Sequence, residues 1–478
     1  MSSPGVARFF LSAAVARLGV AMSGLAVMWA VYGVSGSFGL AGTAAGMFAA
    51  AEAIAGPQIA RLVDRHGQRR VVPFTAGVFA VAASLLVVAC ARSAAAGILL
   101  PLAALVGTTV PPIGALSAAR WRRVAGPDER VLTAGMSLDG AANDTAFLVG
   151  PVLVTGLSAV FLPWAGLGLA VALVVSGLAV LLTATGTEPE AGPATAPGIT
   201  SEVGTAGVAG TGPAGLAGLI MDRRLIERRF LGLFAANLAL GLFFGGIGVA
   251  IAGFAVAHGS GALTGAITGV AGAVSLVAGL VYGNLAKGNR PENGPTESGP
   301  AEGKPTRSDL VEGGPRESGL AEGRLTNGDL TNGDLARSGP GTVMAVASLV
   351  LTVGCALLAL TPSVPVMFAG YAVVGGVVAL VVIPGAVLVQ QVTAREVATQ
   401  AWTWINSASA LGIATAAPLI GIVVQRNGWS SGFLVLSGLT AALPLSLLFL
   451  HNVRKGTNRG ARKEADHDSR KGAAGVRR

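Results

Sequence analysis

An all-α membrane protein with twelve transmembrane helices in two bundles of six is the fold class the sequence predicts, and three observations predict it. The chain is 52% hydrophobic and only 12% charged, and its mean hydropathy of +0.67 lies far outside the range of a soluble domain. Apolar runs of about 20 residues recur along it, each long enough to cross ~30 Å of hydrocarbon as a helix. Lys and Arg gather in alternate connections between those runs. Gly and Ala dominate the runs, as expected where helices pack closely in lipid. The alternating segments of a transmembrane barrel are not evident.

The spans are expected at 8–33, 39–60, 70–91, 96–118, 131–157, 162–184, 230–257, 261–286, 342–361, 364–391, 397–424 and 430–451. The first run is too long for the core of a signal peptide, so it is read as a retained helix. With the N-terminus cytoplasmic, the inside segments hold Arg8, Arg61, Arg65, Arg69, Arg70, Arg120, Arg122, Arg123, Arg130, Arg223, Arg224, Arg228, Arg229 and Arg395, while the outside connections hold only Arg92 and Arg426. That asymmetry puts both termini in the cytoplasm, and the expected location is the plasma membrane. It also explains the net charge of +9 better than nucleic-acid binding does. Cys90 and Cys355 both fall inside apolar spans, so no disulfide framework is implied. Trp29, Tyr32, Trp164 and Trp429 on one side, and Trp121 and Tyr282 on the other, fit interface anchors.

The domain plan is a first bundle over 1–184, a cytoplasmic linker over 185–229 that is partly disordered, and a second bundle over 230–451. A basic tail follows over 452–478. Within the second bundle, 288–341 contains ESGPAEG, ESGLAEG and the tandem TNGDLTNGDL. Polar, glycine-rich repetition of this kind cannot bury a core and is expected to be disordered.

Between spans 2 and 3 the sequence reads GPQIARLVDRHGQRRVV. Six plus six helices, a cytoplasmic middle linker and this charged connection resemble the major facilitator superfamily, whose loop signature is G-x-x-x-D-R-x-G-R-R/K. Asp64, Arg65, Gly67 and Arg69 match it and Arg70 adds a charge, while Ala60 and Gln68 depart from it. The resemblance implies that this cluster latches the cytoplasmic side while the transporter faces outward. Its partner is expected at the start of helix 11, near Val397 to Ala401. At the equivalent position after helix 8, Lys287 replaces the acid, so the second latch is expected to be lost. In helix 5, Gly150, Pro151 and Gly156 partly match the G-P-x-x-G-G signature of drug/proton exchangers, and Pro418 stands in the matching place in helix 11. Proline bends a helix there and glycine admits a neighbour.

Four charged residues fall well inside the spans: Arg17, Glu52, Asp139 and Asp144. Each needs a partner, a proton or water, because a charge in the bilayer costs at least ~2.5–3.5 kcal/mol. Helix rise places Arg17, Glu52 and Asp139 roughly 12–14 Å from the cytoplasmic side, and Asp144 near the midplane. Arg17 is expected to pair with Glu52 or Asp139, leaving an acid to take up and release a proton; a permanent structural pair is the alternative. A proton exchanger of this type usually carries an arginine in helix 4, and none lies here before Arg120. The second half offers amides and aromatics instead. Asn143, Asn237, Gln390, Gln391, Trp404 and Asn406 are expected to wall a cavity suited to an amphiphilic molecule.

The expected activity is export of a small amphiphilic compound by proton antiport, with no enzymatic chemistry, cofactor or metal. Anionic lipids are the expected surroundings and a monomer the expected state. Import of a nutrient is the nearest alternative, and a transport-inactive sensor or scaffold is one of another class. No G-x-x-x-x-G-K-S/T loop supports an ATP-driven pump.

Overall fold

The structure is a computed structural model, and it describes residues 5–189, 228–288, 340–392 and 398–447. Most of the linker, the insert over 288–341 and the tail over 452–478 lie outside the described residues. All regular structure among the described residues is helical.

The first half comprises α1 (Val6–Ser35), α2 (Phe38–His66), α3 (Gln68–Ala91), α4 (Ala96–Thr108), α5 (Ile113–Ala125), α6 (Glu129–Val160) and α7 (Ala165–Thr183). The second comprises α8 (Arg228–Ala257), α9 (Leu263–Gly288), α10 (Pro340–Leu358), α11 (Val364–Val392) and α12 (Ala398–Thr440). Eleven runs among the described residues are long and apolar enough to cross a membrane.

Three elements differ from the sequence expectation, each for a local reason. The charged stretch after span 2 is not a loop: α2 continues through His66, and Gly67 alone separates it from α3. Gly67 has φ 83° and its N–H donates to the Val63 carbonyl at 2.8 Å, a left-handed turn that a side chain would strain. The fourth span is not one helix over 96–118. It stops at Thr108 and restarts at Ile113, because Pro111 and Pro112 lack the N–H groups that would continue it. The last two spans are not separated by a loop. They are two helices that meet at a kink, with Gly428 (φ 83°, ψ 168°) as the one non-helical residue between Ala398 and Thr440.

The first half is held at its arginine-bearing end by a polar cluster. Arg120 is fully buried. Its Nε donates to Gln68 Oε1 at 2.9 Å, and one Nη donates to the Ala184 carbonyl at 2.7 Å and to Thr187 Oγ1 at 2.8 Å. Gln68 Nε2 in turn donates to the Leu116 carbonyl at 3.3 Å. Trp121 is buried against Phe9, Phe10 and Gly135, and Trp29 is buried beside Gly261. Neither is an interface anchor: both fill contacts between helices.

Among the described residues, two glycine-lined seams join the halves. In one, Gly39, Gly42 and Gly46 of α2 meet Ile422, Ala417, Ala414 and Pro418 of α12 so closely that a Cβ would collide with the α12 backbone at Gly42 and Gly46. In the other, Gly265, Gly269 and Gly272 of α9 meet Thr155, Val152 and Leu148 of α6. The Phe38 N–H donates across the first seam to Gln425 Oε1 at 2.8 Å. All of these contacts lie in the half of the molecule away from the arginines. Toward the arginines, Ile54 and Leu62 of α2 and Val277, Leu280 and Val281 of α9 are exposed.

Candidate functional site

α1 and α6 start at the same end of the molecule, which brings Arg17 and Asp139 to one level. Arg17 is eleven residues into α1 and Asp139 ten into α6, about 15–17 Å from that end. The two side chains form a two-pronged ion pair. Arg17 Nη2 donates to Asp139 Oδ2 at 2.7 Å and Nη1 donates to Oδ1 at 3.0 Å, with a further bond from Nη1 to the Asp139 carbonyl at 3.2 Å. Ser117 of α5 donates its Oγ proton to Oδ1 at 2.6 Å. The side chains are 4% and 2% exposed. Breaking such a pair by removing one partner typically costs about 3–5 kcal/mol, because the other charge is left buried alone.

Glu52 takes no part in this pair. The longer α2 puts it fourteen residues from either end, at the helix midpoint rather than at the level of Arg17. It is half-buried, with neither a hydrogen bond nor an ion pair to any described residue. Asp144 sits near the midpoint of α6, exposed, beside half-buried Asn143. It lies one turn from Leu148, where the α6–α9 seam ends. No cation lies within ion-pair distance of it among the described residues. The site therefore has two levels: a locked pair near the arginine-bearing end, and two carboxyls at mid-depth without a cation.

In the second half, Asn237 Nδ2 donates to the Leu233 carbonyl of its own helix at 2.9 Å. Trp404 lies 6.4 Å from Phe234 between ring centroids, and Asn406 is half-buried. The side chains of Gln390, Gln391 and Trp402 lie outside the described residues. Two apolar grooves elsewhere, along α3 at Val81 and Leu85 and beside α11 at Pro365 and Phe368, hold no ionisable side chain. No group of three or more His, Cys, Asp or Glu among the described residues could hold a metal ion.

The loop-signature residues occupy the end of α2 and the start of α3. Arg65 and Arg70 are exposed, and Arg69 Nε pairs with Glu188 Oε2 at 2.8 Å. The side chain of Asp64 and those of the expected partner segment, 397–401, lie outside the described residues. Gly150 packs on Met22 of α1, with room for a Cβ only 3.3 Å from Met22 Cγ. Gly156 differs from the expectation, since nothing stands within 4 Å of where its Cβ would be. Pro151 and Pro418 lie inside their helices, and each stands at a seam: the Pro151 carbonyl faces Gly265, and the Pro418 ring faces Gly46.

The sequence profile of the Major Facilitator Superfamily matches residues 9–293 and 331–476, nearly the whole chain. The chain belongs to the Major Facilitator Superfamily. Solved transporters share this fold at low identity. A POT family transporter in complex with a thioalcohol-conjugated peptide superposes with a TM-score of 0.61 at 12% identity, covering 94% of this chain and 96% of that one. The nucleoside transporter NupG gives 0.58 at 13%, covering 93% and 98%. The human organic anion transporter MFSD10 (TETRAN) gives 0.51 at 16%, covering 93% and 100%. No curated protein matches the chain. Membership makes the chain a multi-pass membrane transporter of the superfamily, with small molecules as its substrates.

Gln68, Ser117, Arg120, Thr187 and Glu188 were not singled out from sequence as site residues. Gln68 was visible only as a departure from the loop signature, and the rest as ordinary polar residues at span ends.

Proposed function

We propose that the protein exports a small amphiphilic compound in exchange for protons, by alternating access between two six-helix halves. Twelve crossings follow if the kinked run from Trp404 to Leu447 counts as two, each arm long enough for one passage. The observation that carries the reading is the two-level arrangement of charge. Arg17 is consumed by Asp139, so Glu52 and Asp144 remain at mid-depth with no cation to hold them ionised. A carboxyl kept there must bind a proton or face water. The exposed position of Asp144 just past the α6–α9 seam suits a cleft wetted from the arginine-bearing end, which charge asymmetry makes cytoplasmic. In this reading the structure is the state shut to the outside, and the Asp64–Arg65 latch engages only in the opposite state. The aromatic and amide groups at Phe234, Trp404, Asn237 and Asn406 form the opposite wall, suited to a partly apolar substrate.

The test is transport in vesicles holding the full-length protein, with an imposed pH gradient and a panel of fluorescent amphiphiles. Asp144→Asn should abolish gradient-driven export while leaving downhill exchange of the same compound. Full gradient-driven export by that variant would sink the coupling role. Import of a nutrient through the same cavity is distinguished by the direction of net flux, and a scaffold by the absence of any exchange.

A further inference from the structure

The interruption of the fourth span lies midway along it. Ala96–Thr108 and Ile113–Ala125 are each thirteen residues, so about 18 Å of helix stands on either side of it. At the break the Thr109 N–H donates to Val106, the Val110 N–H to Gly107 and the Ile113 N–H to Pro111. Among the described residues nothing donates to the carbonyls of Thr108, Thr109 and Val110. Free backbone carbonyls at this depth occur only where protein buries them or water reaches them.

Helix α2, which carries Glu52, packs beside the same spot. Gly107 packs directly on the backbone of Phe48, whose carbonyl oxygen stands where a Cβ of residue 107 would be. In α2 that carbonyl accepts the helical bond from the N–H of Glu52, four residues on. A long helical side chain leans back over the preceding turn, so Glu52 reaches toward the level of Gly107 and the break that follows it. α2 and α4 rise in the same direction, so a further turn on each keeps Glu52 opposite Pro111.

We propose that Glu52 and the carbonyls left free at the Pro111–Pro112 break form the site of the coupling cation, an all-oxygen cradle for a proton or a sodium ion. This rests on the reading of the protein as an ion-coupled transporter and names the ion's seat. A protonated Glu52 donates its O–H to one of the three carbonyls; a sodium ion takes carboxylate and carbonyl oxygens together, as unwound helices do in other transporters. The helices packed on α2 bring little charge to compete. α1 brings Arg17, already bound to Asp139, and Arg8 at its start, far from Glu52. α3 carries its arginines at one end and Cys90 near the other, α4 has no ionisable side chain, and α12 brings Arg426 at the far end. α8 touches α2 more lightly and carries Arg228 and Arg229 at its start. On α2 itself, Arg61, Asp64, Arg65 and His66 lie more than two turns away.

Thermal unfolding of the purified full-length chain tests this, first against pH in choline chloride and then against NaCl at fixed alkaline pH. The wild type should gain stability as pH falls or as sodium rises. Glu52→Gln should lose most of that response, and Glu188→Gln, which alters only the surface pair with Arg69, should keep it. Pro111→Ala with Pro112→Ala, which lets the helix close over the carbonyls, should weaken the apparent ion affinity about tenfold. A sodium response alone supports the site but overturns proton coupling; a proton response alone supports both. An unchanged response in Glu52→Gln, or none in the wild type, overturns the site. If vesicle transport then still depends on Asp144, the transporter reading survives that failure. Should Glu52→Gln not fold, ¹³C-labelled glutamate in the wild type decides the same question. The infrared band of the ion-responsive carboxyl must then shift with the label, and a band that shifts only with labelled aspartate contradicts the proposal.

Discussion

The two halves solve the same packing problem with different chemistry. Pro151 of α6 and Pro418 of α12 occupy matching places at the two seams, and twelve residues before each stand Asp139 and Asn406. Asp139 is tied to Arg17 of α1 by a buried ion pair. In the second half neither 398–425 of α12, which holds Asn406, nor 230–257 of α8 contains a charged residue. There α12 meets α8 through Gly241, Gly245 and Gly412, which let backbones touch at Ser409, Ile413 and Leu238. Small-residue contact of this kind is sufficient glue between helices in lipid. The fold therefore does not require an ion pair at this junction. In the first half the pair imposes a desolvation cost that well-packed apolar residues would avoid, and it fixes one cation so that the acids deeper in the bilayer are left without one.

Altering the ion pair is the most drastic way to break this contrast. Asp139→Asn should leave Arg17 buried alone and cost about 3–5 kcal/mol, visible as a large fall in the unfolding temperature in detergent. The double variant Arg17→Met, Asp139→Leu, which gives the first half the apolar character of the second, should recover most of that loss. Equal damage in both variants would show that the junction needs its charges. The reverse graft, Asn406→Asp, places an acid where no arginine waits, with an expected cost of about 2.5–3.5 kcal/mol by the same measurement. A seam substitution, Gly46→Val, should overpack α2 against Ala414 and Pro418 and destabilise the shut state by about 1–3 kcal/mol. A cysteine placed at Ser37, in a chain lacking Cys90 and Cys355, should then react faster with a membrane-impermeant thiol reagent. The smallest effect belongs to Glu188→Gln. Arg69 is 56% exposed, so loss of that pair should change stability by no more than about 1 kcal/mol.

Much of this was legible in the sequence, because hydropathy and charge are local. The spans, the arginine-bearing end and the four intramembrane charges need only a window of residues to be seen. The Pro111-Pro112 break was also visible, but an apolar window passes over it without interruption. What sequence could not supply were partners. Asp139 finds Ser117 twenty-two residues back, and Arg120 finds Thr187 sixty-seven residues on. Such pairings depend on which helix faces rotate together, and no local period encodes that. Glu52 was misplaced in depth because the charged end of α2 reads as loop, whereas Gly67 is the only residue that breaks the helix.

The most direct test of the division between a locked pair and ion-binding acids is infrared difference spectroscopy of the protein in lipid, recorded as pH is lowered. Labelled aspartate and glutamate, with the Glu52→Gln and Asp144→Asn variants, assign the carboxyl bands. The expected result is protonation signals that disappear with Glu52 and with Asp144. Carboxyl signals that persist unchanged in both variants would contradict the division of roles between the two levels.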